Sequence, residues 1–337
     1  MLTFEIDVPI QDRICAERIE DIINLSFTKG EDMKSLYHTC ISLQSEVLFR
    51  DENDTRYFVN CLALSLFKSN TALLADSLMS DHIHLVIETE QLSLFLKSLK
   101  TKYSLYFRSK YSRSGIMAAA SCHVTKLDGI MHILAALSYV FRNGLHHGLC
   151  STAFEYPHSS VNCIYRKELG KLFVPEHTTS RVEISKRLPK FSKFPDNYVM
   201  DKKGMFLRES FVQIEQTEHF YLTPKTFIYY MNRLSSEEWK KEQLKDNNGE
   251  PPITLMSIEN TQDENTLSRM LRNESGRVYK SRLMDTDICA IIDKQCIEHY
   301  NKQSVYFLSD EQKRSIANSL INNYHASLGQ IKRTLIL

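Results

Sequence analysis

The order in which hydrophobic patterns change along residues 36–144 restricts this chain to few folds. LYHTCISL (36–43) is a short run rich in strand-forming residues and reads as a strand. A helical period follows, with Asp54 as its cap and Tyr57, Phe58, Cys61, Leu62 and Leu66 as its apolar stripe. NTALLADSLMS and HIHLVIE come next with almost no gap, as in a hairpin of two strands. Thr89 caps a second helix whose apolar side is Leu92, Phe95, Leu96, Leu99, Tyr103, Tyr106 and Phe107, and SRSG (112–115) breaks it. SCHVTKL is a fourth strand, and Asp128 caps a last helix, GIMHILAALSYVFRN, that stops at Gly144. Strand, helix, strand, strand, helix, strand is the ferredoxin-like split β-α-β-β-α-β unit. The expected class is therefore α+β, with helices on one face of an antiparallel sheet and the other face open to a ligand.

Within that frame the stretch MSDHIHLVIE (79–88) carries chemistry. Side chains alternate along a strand, so His82 and His84 share one face while Ile83, Leu85 and Ile87 share the other. Two imidazoles roughly 7 Å apart along a strand can share one divalent ion. The motif by itself is short and recurs in chains that bind no metal. The last helix supplies Tyr139 and Asn143, four apart and so on one helix face. Laid across the open sheet, that helix brings Asn143 beside the histidines and Tyr139 within a turn of them. Two imidazoles and an amide oxygen suit a divalent ion with open positions. Such an ion stabilises charge at a phosphorus. A phenol, with its pKa of about 10, needs a cationic field to act as a nucleophile. Read alone, Tyr139 is better taken as an ordinary core aromatic of an apolar helix.

Charge distribution fits a phosphate-rich ligand better than net charge does, although charge alone reads first as a solvated helix face. The whole chain carries +1, but between positions 97 and 142 eight Lys/Arg stand against one Asp. Lys102, Arg108, Lys110, Arg113, Lys126 and Arg142 belong to that block, and His146 follows it. An acidic stretch at 237–264 reverses the balance. No apolar run reaches membrane-spanning length, and the N-terminus lacks signal-peptide character, so no membrane partner is expected and the cytoplasm is the default. None of the eight cysteines forms C-x-x-C. The expected organisation is a helical preface (1–35), the α+β domain (36–160), a basic connector (161–205) and a mostly helical region (206–337). The last of these ends in Ser309-x-x-Gln312 and Ser327-x-x-Gln330 capping boxes. The two short helices at 309–337 read either as half of a helix-turn-helix or as a packing hairpin.

Several ordered motifs together resemble the single-tyrosine HUH transposases, specifically the REP-associated tyrosine transposases. YHTCISLQSEVLFRDENDTRYF resembles their opening strand and helix. MSDHIHLVIE is similar to their Met-Pro-Asn-His-Val-His-Leu-type motif, with Ser80 where proline is common. LKTKYSLYFRSKYSRSG resembles their basic helix, LSYVFRNGLHHGL their Tyr-Ile-x-x-Asn-Pro-Val-Arg-Ala-Gly-Leu segment, and FEYPHSS their Tyr-Pro-Trp-Ser-Ser. The resemblance spans roughly residues 37–160. It implies His82, His84 and Asn143 as ligands of magnesium or manganese and Tyr139 as the nucleophile. The implied reaction is nicking and rejoining of single-stranded DNA, often beside a hairpin, through a 5′-phosphotyrosine. Lys102, Arg108, Lys110, Arg113, Lys126, Arg142 and His146 become the nucleic-acid contacts, and a homodimer is the oligomer to consider. Departures are Gly144 in place of proline, His146 in place of arginine, and IMAAASCH (116–123) where relatives place an Arg and a Lys. The last motivates an alternative: a catalytically silent relative that binds hairpin DNA or RNA. A general metal phosphoesterase using the histidines alone is a third reading.

Overall fold

The computed structural model describes residues 34–43, 46–147, 149–150, 152–170, 177–178, 180–189, 192–232, 271–272, 278–279 and 283–337. The helical preface expected at 1–35, apart from Lys34 and Ser35, and the acidic stretch at 237–264 lie outside the described residues.

The first half runs β1 (Ser35–Ser42), α1 (Glu52–Lys68), β2 (Ala72–Leu78), β3 (His82–Thr89), α2 (Leu92–Tyr111), α3 (Ile116–Ala119), β4 (Ser121–Lys126), α4 (Ile130–Phe141) and α5 (Asn143–His146). The four strands form one sheet in the order β2-β3-β1-β4, and each neighbouring pair is antiparallel. The α+β class and the order of the four strands and three long helices match the sequence reading, but α3 is additional and the last helix, expected to stop at Gly144, ends at Phe141. The helix starts differ too. Asp51, not Asp54, caps α1 by accepting the Asp54 N–H, while Asp54 sits buried in the first turn. Gln91 rather than Thr89 precedes α2, because the Thr89 hydroxyl is taken by Thr71 (2.8 Å) and by the Gln91 N–H (2.9 Å). Gly129, at φ 84°, takes the place expected for Asp128 before α4.

Alternation along β3 divides the interior. Ile83, Leu85 and Ile87 join Ile41 and the apolar sides of α1 and α2 in one core. Val86 joins Leu74, Ala75 and the α4 residues Leu134, Leu137 and Val140 in a second core on the opposite face. Two later helices, α7 (Ile214–Tyr221) and α8 (Pro224–Asn232), add Phe220, Tyr221 and Phe227 to that second core. The histidine face is thus covered rather than open.

The basic connector is apolar on one side. Around α6 (Arg181–Arg187), Ile184, Leu188, Phe194, Tyr198, Met200 and Phe206 pack into the first core, and Arg208 pairs with buried Asp76 at 2.9 Å. The C-terminal helices α9 (Asp285–Tyr300), α10 (Asp310–Tyr324) and α11 (Leu328–Leu335) enclose a small core of their own. Both capping boxes form. No helix among the described residues is long and apolar enough to cross a membrane.

Candidate functional site

β1 and β3 pair with Cys40 opposite His84 and Ser42 opposite His82. Directly opposed residues share a face, so His38, two residues before Cys40, joins His82 and His84 on the α4 side. The His38 and His84 rings stack at 5.2 Å, with Nε2 of the first 3.1 Å from Nδ1 of the second. The last turn of α4 brings the Tyr139 ring edge-on to both, 5.1 Å from His84 and 6.3 Å from His38. After a break in helix geometry at Arg142, α5 starts with Asn143 and leads to His146, 6.0 Å from Tyr139, and His147, 5.0 Å from His82. Asn143 therefore lies in the chain between a residue packed on His84 and one packed on His82. Its carbonyl accepts the His147 N–H at 3.0 Å.

The cluster is closed. His82 is 2 % exposed, His84 and Asn143 0 %, and Tyr139 5 %. Burial disfavours the charged imidazolium. It lowers the pKa of His38 to about 4, takes His147 to about 3 with help from His82, and holds His84 well below its ordinary range. These rings are neutral at pH 7 and carry lone pairs. His82 Nδ1–H donates to Asp81 at 2.6 Å. Burial alone would raise the Asp81 pKa, but His82, Arg333 and His147 outweigh it and hold that carboxyl well below the usual range.

The donor chemistry fits a divalent ion. His82 Nε2 and both amide atoms of Asn143 are buried without a hydrogen-bond partner. The outer nitrogens of both strand histidines are engaged, His82 by Asp81 and His84 by His38, as in imidazoles held for metal ligation. The set comprises two imidazoles and an amide. Among the described residues no group of three or more His, Cys, Asp or Glu is placed to hold an ion.

The basic residues named from sequence are not gathered here. Arg142 stands half-buried at the α4–α5 joint, and His146 belongs to the cluster. The others lie across the sheet. Lys102 Nζ donates to Ser65 (3.2 Å) and Ser98, and burial lowers its pKa. Lys110 is held by Asp51 and Asp54, each at 2.7 Å, and Arg113 by Glu46 at 3.2 Å. Lys126 lies opposite Tyr37, on the far side of the sheet from the histidines, 3.6 Å from Asp128. Arg108 borders an open groove of about 470 Å³ with Lys97, Lys100 and Ser104. On β4, the residues in register with His38, Cys40 and Ser42 are Thr125, His123 and Ser121, none of them a Lys or Arg.

His38, His147, Asp81 and Arg333 were not singled out by sequence reasoning. His38 had one available signal, its alternation with Cys40 and Ser42 in LYHTCISL. Its proximity to His84 depends on a strand register that no local pattern encodes.

No family profile and no curated protein sequence matches the chain. A solved structure of a REP-associated tyrosine transposase bound to a REP hairpin is similar to it at 10 % identity, with a TM-score of 0.34, over 44 % of this chain and 87 % of that one.

Proposed function

We propose that the protein nicks and rejoins single-stranded DNA through Tyr139, in the manner of single-tyrosine HUH transposases, on a ferredoxin-like split unit. The observation that carries this reading is the convergence of Tyr139 on His84 at 5.1 Å, from an element distant in sequence, on the face that also bears His82. The ordered motifs at 37–160 name the same residues independently. His82, His84 and Asn143 would hold magnesium or manganese, which when bound would polarise a phosphate oxygen and stabilise the charge that builds on phosphorus. Tyr139 supplies the attacking phenolic oxygen. A P–O bond forms to tyrosine, the bond to the 3′ oxygen breaks, and that oxygen leaves with a proton as a free 3′-OH. The phosphotyrosyl ester retains the bond energy, so a second 3′-OH reverses the step. Neutral His38 keeps His84 oriented. The cluster is closed, so entry of a strand requires an opening movement.

A second reading, a silent module that binds hairpin DNA or RNA, is favoured by two observations. The histidine side of β4 lacks Lys and Arg, and the cations of α2 are largely spent on internal partners. One experiment separates the two. Hairpin-flanked oligonucleotides are incubated with the protein and manganese, and denaturing gels score a covalent adduct. The transposase-type reading expects an adduct that Tyr139→Phe abolishes and that His84→Ala removes while leaving much of the DNA binding. Tight binding with no adduct supports the silent module. Cleavage that survives Tyr139→Phe supports a phosphoesterase instead.

A further inference from the structure

The strand histidines are held from behind by different means. His84 leans on His38, a neighbour within the sheet. His82 leans on Asp81, and Asp81 is itself held by a residue from the far end of the chain. Arg333, on α11, places Nε 3.4 Å from Asp81 Oδ2. The same guanidinium donates from Nε and Nη2 to both carboxylate oxygens of Asp285, at 2.9 to 3.2 Å. Asp285 is fixed in turn by the Ser80 hydroxyl at 2.7 Å. Ser80 and Asp81 belong to the turn that leads into β3, closed by Met79 N–H to His82 carbonyl at 2.8 Å. The Arg333 side chain is only 15 % exposed and that of Asp81 13 %, so these contacts are poorly screened.

We infer that Arg333 is a positioning residue for His82, acting through Asp81, and that the C-terminal helices thereby complete a site built in the first half of the chain. Asp81 accepts from Nδ1–H and so fixes the tautomer in which Nε2 carries the lone pair. That Nε2 is the buried atom without a hydrogen-bond partner, on the ring packed against His147. A carboxylate with one imidazole as its sole partner could rotate. The contact from Arg333, itself anchored on Asp285, holds it in place. Lysine would not substitute well, because a single ammonium cannot reproduce the two-nitrogen fork on Asp285 while keeping its charge beside Asp81. The inference rests on the proposed metal role of His82 only for its consequence in metal affinity; the tautomer stands apart from it.

The test uses the full chain, free of metal, with ¹⁵N-labelled histidine and the His82 signals assigned by their loss in His82→Gln. The expected wild-type signal is an Nδ1-protonated ring. Arg333→Met and Asp81→Asn should each shift it to a mixture of tautomers. Manganese titration followed by electron paramagnetic resonance should show affinity falling about 10- to 100-fold in both, the usual range when the partner of a ligating histidine is lost. Arg333→Lys, milder for folding, should recover only part of the loss. Gln330→Ala removes two other α11 contacts, the bond to the Leu283 carbonyl at 2.9 Å and the capping bond from the Ser327 N–H at 3.1 Å, and should leave tautomer and affinity within about twofold of wild type. An unchanged His82 signal in folded Arg333→Met, or an equal effect of Gln330→Ala, overturns the inference. If wild type shows the expected tautomer and Arg333→Met perturbs it, but no variant including wild type binds manganese, the metal reading fails and the positioning role stands.

Discussion

At the scale of single residues, Gly144 shows how the site's neighbourhood is constrained. An added Cβ would lie 2.3 Å from Cγ of Tyr156. That ring cannot withdraw freely, because its hydroxyl donates to the Leu78 carbonyl at 2.6 Å. This accounts for glycine at that position. Gly144→Ala should destabilise the protein by about 1–3 kcal/mol, the usual range for overpacking a full interior. It should also displace the adjoining Asn143. Urea denaturation measures the first effect and manganese affinity the second; an unchanged midpoint would mean that the ring yields. Part of the candidate site was legible at this scale. Alternation put His82 and His84 on one face, whereas the spacing of four assumed one helix through Tyr139 and Asn143, and the helix breaks at Arg142 between them. What could not be read was which residues stand behind them. Asp81 and Arg333 meet only in three dimensions, and a carboxylate beside a histidine in a turn is unremarkable in sequence.

At the scale of elements, the period of the apolar residues located the four strands and the three long helices of the sheet domain, but not the short α3 and α5 or the residues at the element ends. Asp54 was read as a cap because acidic residues favour that place. The structure instead makes it the junction between α1 and α2. Its carboxylate accepts from the Arg50 N–H (2.8 Å), Tyr111 (2.8 Å), Tyr106 (2.9 Å) and Lys110 (2.7 Å). A buried charge with four donors outranks local capping preference, and Asp51 takes the cap. Asp54→Asn keeps the size but loses the charge and turns an NH₂ toward donors. It should cost about 3 kcal/mol, whereas loss of the cap in Asp51→Ala should cost about 1 kcal/mol. Comparing the two urea midpoints decides the order. A larger effect at Asp51 would show that capping dominates. The cover over the histidine face was illegible for a different reason: the segments that form α7 and α8 are short and mixed, with no period strong enough to assign them to a face.

At the scale of the whole molecule, Arg50 ties two of the C-terminal helices to the sheet domain. Arg50 is fully buried, donates to Asp293 at 2.7 Å and to the Thr334 carbonyl at 3.2 Å, and lies 5.8 Å from the Tyr306 ring. Tyr306 packs in turn on Phe107 and Tyr111 of α2. These partners are separated by most of the chain, so no sequence pattern announces them. Removing one member of a buried ion pair leaves the other without compensation and costs about 3–5 kcal/mol. Asp293 retains some solvent contact, which places Arg50→Met toward the lower end. The C-terminal helices have their own apolar core, so the loss should fall on their docking rather than on their folding. Hydrogen exchange should therefore show faster opening across the Arg50 contact surface of α9 and α11, with the β1–β3 ladder still protected. Because a buried pair is often matched by apolar residues of similar size, Arg50→Met with Asp293→Leu should recover part of the protection. Uniform loss of protection in the sheet and the C-terminal helices alike would mean that the two halves unfold as one cooperative body. The dependence of His82 on Arg333 would then be a property of the fold as a whole rather than of a detachable arm.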